Sequence, residues 1–157
     1  MRKNASVESA SSQDPGVRNQ HVRDVMRRDF ISISRRESLL EALQLMRLAR
    51  LRHLTIESEG LLVGILSYRD LQDELLARLG PGASLQGTLA PAQAAAIEHL
   101  SGSPYSIAPD ATLAEAAARL ERLRVGCLPV VELGEQGLRL VGLLTEMDLL
   151  RAAYGTS

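Results

Sequence analysis

Residues Leu62 to Leu71 spell LVGILSYRDL, and residues Leu140 to Leu149 spell LVGLLTEMDL. A phrase said twice at this length constrains the fold more tightly than any average over the chain, because two copies of one plan fold alike locally and pack as like units. The duplication extends beyond the phrase. Displacing the chain by 74 positions sets Ile33 on Ile107, Leu39 on Leu113, Glu41 on Glu115, Ala42 on Ala116, Arg50 on Arg124 and Leu54 on Leu128, and from Leu62 onward the displacement is 78. The four added residues fall within Glu132 to Gly137, a polar stretch in which a longer hairpin loop would absorb them at little cost.

Each copy opens with a short β-branched run, Phe30 to Ile33 or Tyr105 to Ile107. A helix follows, introduced by Ser38-Leu-Leu-Glu41 or Thr112-Leu-Ala-Glu115. Both tetrads are capping boxes, in which hydroxyl and carboxylate take up N–H groups that the first helical turn leaves free. Next come a strand (Leu54 to Glu57; Leu128 to Val131), a turn at Gly60 or Gly137, a second strand (Leu61 to Leu66; Leu138 to Leu144) and a helix beginning at Ser67 or Thr145. The order is β-α-β-β-α, twice, an α/β (α+β) class of fold. One copy of about 55 residues buries only about 60% of its unfolded surface and is marginal alone. The expected solution is a pseudo-twofold pair, sheets facing inward and helices outside. The copies occupy 21–79 and 97–154, between a polar tail (1–20) and a short end (155–157). The linker, 80–96, belongs to a Gly- and Pro-punctuated loop from Leu79 to Leu89 and a helix from about Pro91 to Leu100.

A formal net charge of -1 and only four aromatic residues, one Phe and three Tyr, argue against a nucleic-acid surface, whether basic or base-stacking. The single cysteine, Cys127, forms no intrachain disulfide and reads as a small buried hydrophobe, and a cytoplasmic location is the default expectation. No apolar run is long enough for a membrane span, and Met1 to Gln20 lacks a signal-peptide core. The first helices carry surplus apolar surface: Leu39, Leu40, Leu43, Leu45, Met46, Leu48 and Leu51 in one copy, a smooth face of Ala114, Ala116, Ala117 and Ala118 in the other. That surplus faces either the other copy or a second chain in a homodimer.

The sequence resembles a tandem pair of CBS domains, also called a Bateman module, over about Val22 to Ala153. The resemblance is carried by Val22-Arg-Asp-Val-Met26, Ser38-Leu-Leu-Glu-Ala42, Thr112-Leu-Ala-Glu-Ala116, Cys127-Leu-Pro-Val-Val131 and the two closing phrases. It implies that the pattern Gly-apolar-x-Ser/Thr-x-x-Asp contacts a nucleotide, at Gly64, Ser67 and Asp70 and again at Gly142, Thr145 and Asp148. The chemistry is intelligible on its own terms. A glycine at the strand end lets a ligand approach backbone, and an ionised carboxylate accepts from the paired hydroxyls of a ribose. A helix N-terminus also favours phosphate. Ser-x-x-Asp and Thr-x-x-Asp are equally ordinary helix starts.

The two crevices are expected to differ. In the first, Arg69 adjoins Asp70 and Arg52-His53 precedes Leu54, where related modules present basic residues to phosphate. In the second, Gly126-Cys127, Leu128, Pro129, Glu146 and Met147 occupy those positions and Arg151 is the nearest cation. That crevice is either empty or suited to a less anionic adenosyl ligand such as AMP or S-adenosylmethionine. Candidates for the adenine pocket are Ile31, Ile33, Ser106, Ile107 and Ala108, with Leu54 and Leu128. Three histidines, His21, His53 and His99, are not at metal-ligand spacing with Cys127, and no catalytic phrase is present. No enzymatic activity, required cofactor or metal is expected. Two functions remain open: a homodimeric sensor of AMP, ADP or ATP acting on a partner protein in trans, or a structural interaction scaffold.

Overall fold

The structure is a computed structural model and describes residues 20–79 and 105–155. The N-terminal tail through residue 19, the linker with its expected helix, and His99 lie outside the described residues. In chain order the elements are α1 (Val22–Val25), β1 (Ser32–Ser34), α2 (Leu39–Leu48), β2 (His53–Ser58), β3 (Leu61–Ser67), α3 (Tyr68–Leu79), α4 (Leu113–Leu123), β4 (Cys127–Gly134), β5 (Gly137–Thr145) and α5 (Glu146–Tyr154). Both capping boxes form. Glu41 N–H donates to Ser38 Oγ at 3.2 Å while Ser38 N–H donates to Glu41 Oε2 at 2.8 Å, and the Thr112–Glu115 pair repeats this at 3.2 and 2.7 Å. These bonds hold both glutamates below the usual carboxylate range. The leading strand of the second copy is reduced to one parallel bridge, Ile107 to Val130, at the position where β1 pairs Ile33 with Ile56.

The two hairpins differ in an unexpected way. The added residues do not lengthen a loop: β2 and β3 have 6 and 7 residues, β4 and β5 have 8 and 9, and both hairpins close on two-residue turns, Ser58 facing Leu61 and Gly134 facing Gly137. Continued pairing gives the inward-facing added backbone groups ladder partners, whereas a loop would leave them to solvent. The first turn runs through Glu59 (φ 54) and Gly60 (φ 78), and the second places its left-handed residue at Gly137 (φ 136). A register shift interrupts each hairpin at the equivalent place, Ile56/Glu57 and Val130/Val131, with Gly64 and Gly142 opposite the shift. The motif glycines therefore sit beside a bulge in mid-strand rather than at the strand end.

The leading segment of the first copy folds into the second. Val22 is fully buried in a core with Ile107, Leu113, Ala116, Leu120, Leu128, Val130 and Leu144. Its backbone is tied there by Val22 N–H to Ala111 O, Arg23 N–H to Pro109 O and Leu113 N–H to Gln20 O, each at 2.9 Å, and Arg23 pairs with Asp110 at 2.6 Å. Farther on, Arg27 and Leu143 exchange backbone bonds at 2.8 and 2.9 Å. Gly142 makes this possible, since a Cβ there would lie 2.7 Å from Met26 Sδ and 2.9 Å from the Arg27 carbonyl oxygen.

A separate core under α2 and α3 holds Leu39, Ala42, Met46, Leu54, Ile56, Leu66 and Leu71. The strands join into one five-stranded sheet, ordered β1-β2-β3-β5-β4, and β3 meets β5 only at Leu61 and Arg139. The two sheets expected from the repeat thus touch edge to edge at one end, where Leu62, Val131 and Leu140 form a small third cluster with Phe30 and Leu138. Among the described residues the first core takes up Leu39 and Met46, with Leu43, Leu45 and Leu51 packed against it, while Leu48 is 85% exposed and Ala114, Ala117 and Ala118 are exposed.

Replacing Gly142 by Ala forces Met26 and the Arg27 backbone away from β5, and chemical denaturation should register a loss of about 1–3 kcal/mol. Ser38→Ala removes only a helix cap and should cost about 1 kcal/mol. Equal midpoints for wild type and Gly142→Ala would contradict the close approach described here.

Candidate functional site

The helices α3 and α5 begin in the same manner. Asp70 N–H donates to Ser67 Oγ at 3.1 Å, and Ser67 Oγ–H donates in turn to Asp70 Oδ2. Asp148 N–H donates to Thr145 Oγ1 at 3.3 Å, and Asp148 Oδ2 accepts from the Thr145 hydroxyl at 2.6 Å and its N–H at 2.9 Å. The next N–H of each helix reaches back to the residue before the hairpin, Tyr68 to Arg52 O at 2.9 Å and Glu146 to Gly126 O at 3.2 Å. These bonds hold Arg52-His53 beside the first cap and Gly126-Cys127 beside the second.

From this common plan the two aspartates diverge. Asp70 is exposed on a cleft of about 630 Å³, whose walls include Arg52, His53, Ser67, Arg69 and Asp70 from the first copy and Tyr105, Arg124, Val125, Gly126 and Cys127 from the second. Asp148 is only 4% exposed, and its Oδ1 faces Arg27 Nε at 3.4 Å and Arg151 at 3.8 Å. With Oδ2 engaged by Thr145, both of its oxygens have intramolecular partners. The shallower hollow beside it, about 530 Å³, is lined by Gln20, Asp24, Val25, Arg27, Asp148, Arg151, Ala152 and Gly155.

Several expected site residues lie elsewhere. Gly64 is buried in β3 opposite Ile56, and the space above Gly142 is filled by Met26 and Arg27, so that glycine admits the chain's own backbone instead of a ligand. Leu54, Leu128 and Pro129 are buried, the two leucines within the helix–sheet cores. Cys127, assigned by sequence to the second crevice, lines the first. None of Ile31, Ile33, Ser106, Ile107 and Ala108 belongs to the wall of that cleft; Ile107 is in a core, and Ile33 borders a separate hollow near Arg35 and Glu57. Tyr105 stands in their place. Tyr105 and Arg124 carried no motif of their own, and only the meeting of the two pre-hairpin segments, legible from the repeat symmetry, could have pointed to them.

Charge in the first cleft is unbalanced. Arg52, Arg69 and Arg124 face one wall carboxylate, Asp70, and none of the three is ion-paired among the described residues. By contrast Arg23, Arg27, Arg139 and Arg151 all have carboxylate partners. His53 lies across from Gly126, where a Cβ would sit 3.5 Å from its ring. Burial pushes its imidazole below the usual range; Asp70 opposes this, Arg52 adds to it and Glu146 opposes it. Burial, reinforced by Asp70 and Cys127, raises the Tyr105 phenol. Burial, with Asp148 nearby, pushes the Cys127 thiol up to about 12, so it stays protonated at neutral pH. Among the described residues no His, Cys, Asp and Glu cluster is arranged to hold a metal ion, and no helix is long and apolar enough to cross a membrane.

Fold and site together define a tandem-repeat module with one open, cation-lined cleft at the seam between its halves. The CBS domain family matches at residues 22–77 and 97–155, and the chain belongs to that family. Among solved structures it is similar to the Vibrio cholerae protein solved under the name AcuB, at 30% identity, covering 87% of this chain and 91% of that one with a TM-score of 0.66. It is also similar to CBSX2 in complex with AMP, at 25% identity over 86% of this chain and 96% of that one, TM-score 0.70. The CBS domain pair of MJ0100, solved with 5′-methylthioadenosine and S-adenosyl-L-methionine, shares the fold at 23% identity over 88% and 98% of the two chains, TM-score 0.69. No curated protein matches in sequence.

The depressed His53 value has a consequence for stability. Between the folded and unfolded values the unfolded chain binds more protons, so stability is present above about pH 6.5 and declines as pH falls through that value. Thermal melts should therefore drop between about pH 7.5 and pH 5.5, and His53→Gln should flatten that drop. Parallel curves for the two proteins would refute the assignment to His53.

Proposed function

We propose that this chain is a regulatory module that binds an adenosine nucleotide, AMP, ADP or ATP, in the seam cleft and acts as a homodimeric sensor on a partner protein in trans. The observation that carries the proposal is the asymmetry of the two motif aspartates: Asp70 lies exposed on a cleft with three guanidinium groups that have no ion-pair partner among the described residues, while Asp148 is buried and ion-paired. In this reading Asp70 accepts from the ribose hydroxyls and Arg52, Arg69 and His53 meet phosphate. CBS pairs of the same fold solved with AMP or with S-adenosyl-L-methionine support an adenosyl ligand. The homodimer is supported by the exposed apolar faces, Leu48 on α2 and Met147, Leu150 and Tyr154 on α5. A ligand shifts the state of such a dimer only through unequal affinity for its two shapes. The engaged second motif favours a structural role for that half alone.

Titration calorimetry with AMP, ADP, ATP and S-adenosylmethionine should find one bound nucleotide per chain. Asp70→Ala should weaken binding by roughly tenfold or more through loss of charge-assisted hydrogen bonds, while Asp148→Asn should lower the melting temperature and leave affinity near wild type. A nucleotide at about 100 times its dissociation constant should stabilise the fold by about 2.7 kcal/mol. Absence of any shift with all four compounds would leave the scaffold as the surviving function.

A further inference from the structure

The C-terminal ends of α2 and α4 share a costly conformation. Arg124, the cap of α4, has φ 54 and ψ 43, and the equivalent Arg50 has φ 53. The left-handed region costs a non-glycine residue about 1–2 kcal/mol, which is why glycine or asparagine usually ends a helix this way. The two arginines differ in what they face. Arg124 lines the seam cleft, whereas Arg50 borders none of the described hollows.

Arg52 and Arg69 reach the cleft from the copy that supplies Ser67 and Asp70; Arg124 reaches it from the other copy. A nucleoside held by its sugar at Asp70 and by a first phosphate at Arg52 or Arg69 is satisfied by one half of the molecule. A longer phosphate chain extends across the seam, where a planar guanidinium with five donors offers bidentate recognition. No carboxylate among the described residues is ion-paired with Arg124, so none of them competes there with an incoming anion.

Resting on the nucleotide reading above, we infer that Arg124 is the specificity-determining residue that makes the cleft favour adenosine di- and triphosphates over the monophosphate, by contacting the outer phosphates from the second copy. Glycine at this position suits the left-handed backbone, so the decisive variant does not threaten the fold.

Calorimetry on the full chain with AMP and ATP at equal ionic strength, for wild type, Arg124→Gly and Arg50→Gly, tests the inference. Wild type should bind ATP more tightly than AMP. Arg124→Gly should melt at or above the wild-type temperature yet lose roughly tenfold or more in ATP affinity, with AMP affinity changed by less than about threefold. Arg50→Gly should gain the same stability and keep both affinities. Arg124→Asn, also tolerant of the left-handed region, should repeat the Arg124→Gly result. A wild type that prefers AMP, or an ATP-to-AMP ratio unchanged in Arg124→Gly, overturns the role given to Arg124 while leaving nucleotide binding intact. A wild type that binds neither compound overturns the nucleotide reading itself.

Discussion

The leading segment exchanged into the second copy is the constraint on which the rest of the molecule depends. Residues 20 to 27 reach the far half and complete its core with Val22, its backbone pairing through Ala111, Pro109 and Leu143, and its charge balance through Arg23 and Asp110. The second copy is missing part of its apolar interior without them. Because a copy of this size is marginal alone, the exchange joins two incomplete units into one cooperative body by covalent connection as well as contact.

That same exchange explains why two nearly identical phrases have different fates. In the second copy the exchanged chain lies over Gly142 and brings Arg27 to Asp148, and the motif carboxylate becomes part of an internal clamp. Its hydroxyl cap is the same, Thr145 Oγ1 bonding Asp148 as Ser67 Oγ bonds Asp70, and only the added bond from Thr145 N–H to Asp148 Oδ2 sets the two apart locally. The difference lies in what stands opposite the carboxylate. Asp70 looks across the seam at the other copy's Arg124 and Tyr105, and its cleft therefore belongs to neither repeat alone.

Whatever depended on side-chain chemistry or on periodicity could be read from the sequence. The β-α-β-β-α order, both capping boxes, the hydroxyl caps of α3 and α5, and the grouping of Arg52, His53, Ser67, Arg69 and Asp70 follow from residue types at fixed spacing. Features decided by backbone geometry could not. The exchange rests largely on main-chain bonds from residues 20 to 27, which leave no signature in side chains, and the purpose of Gly142 appears only once Met26 is seen above it. Cys127 borders the first cleft because it faces the neighbouring copy, and a repeat tells which residues are equivalent without telling which of two symmetric crevices each one enters. The four added residues extend a ladder where sequence suggests a loop, since polar composition does not separate an exposed turn from the solvent-facing tip of a hairpin.

The longer hairpin shows how this fold can change size. Pairs along an antiparallel ladder alternate between hydrogen-bonded and non-bonded types, and a two-residue turn closes only on one type. Growth at the tip must therefore come as two pairs at once, which is what separates Gly134–Gly137 from Ser58–Leu61. Insertions of four, beyond the bulge, leave every inward side chain of the ladder on its own face and leave untouched the cleft at the opposite strand ends, while Gly137 at the tip meets Leu61 of the other copy. The tip is thus a place where sequence can be added in quanta, and a graft of epitope or tag length cut to that step would lengthen the ribbon without reaching the cleft.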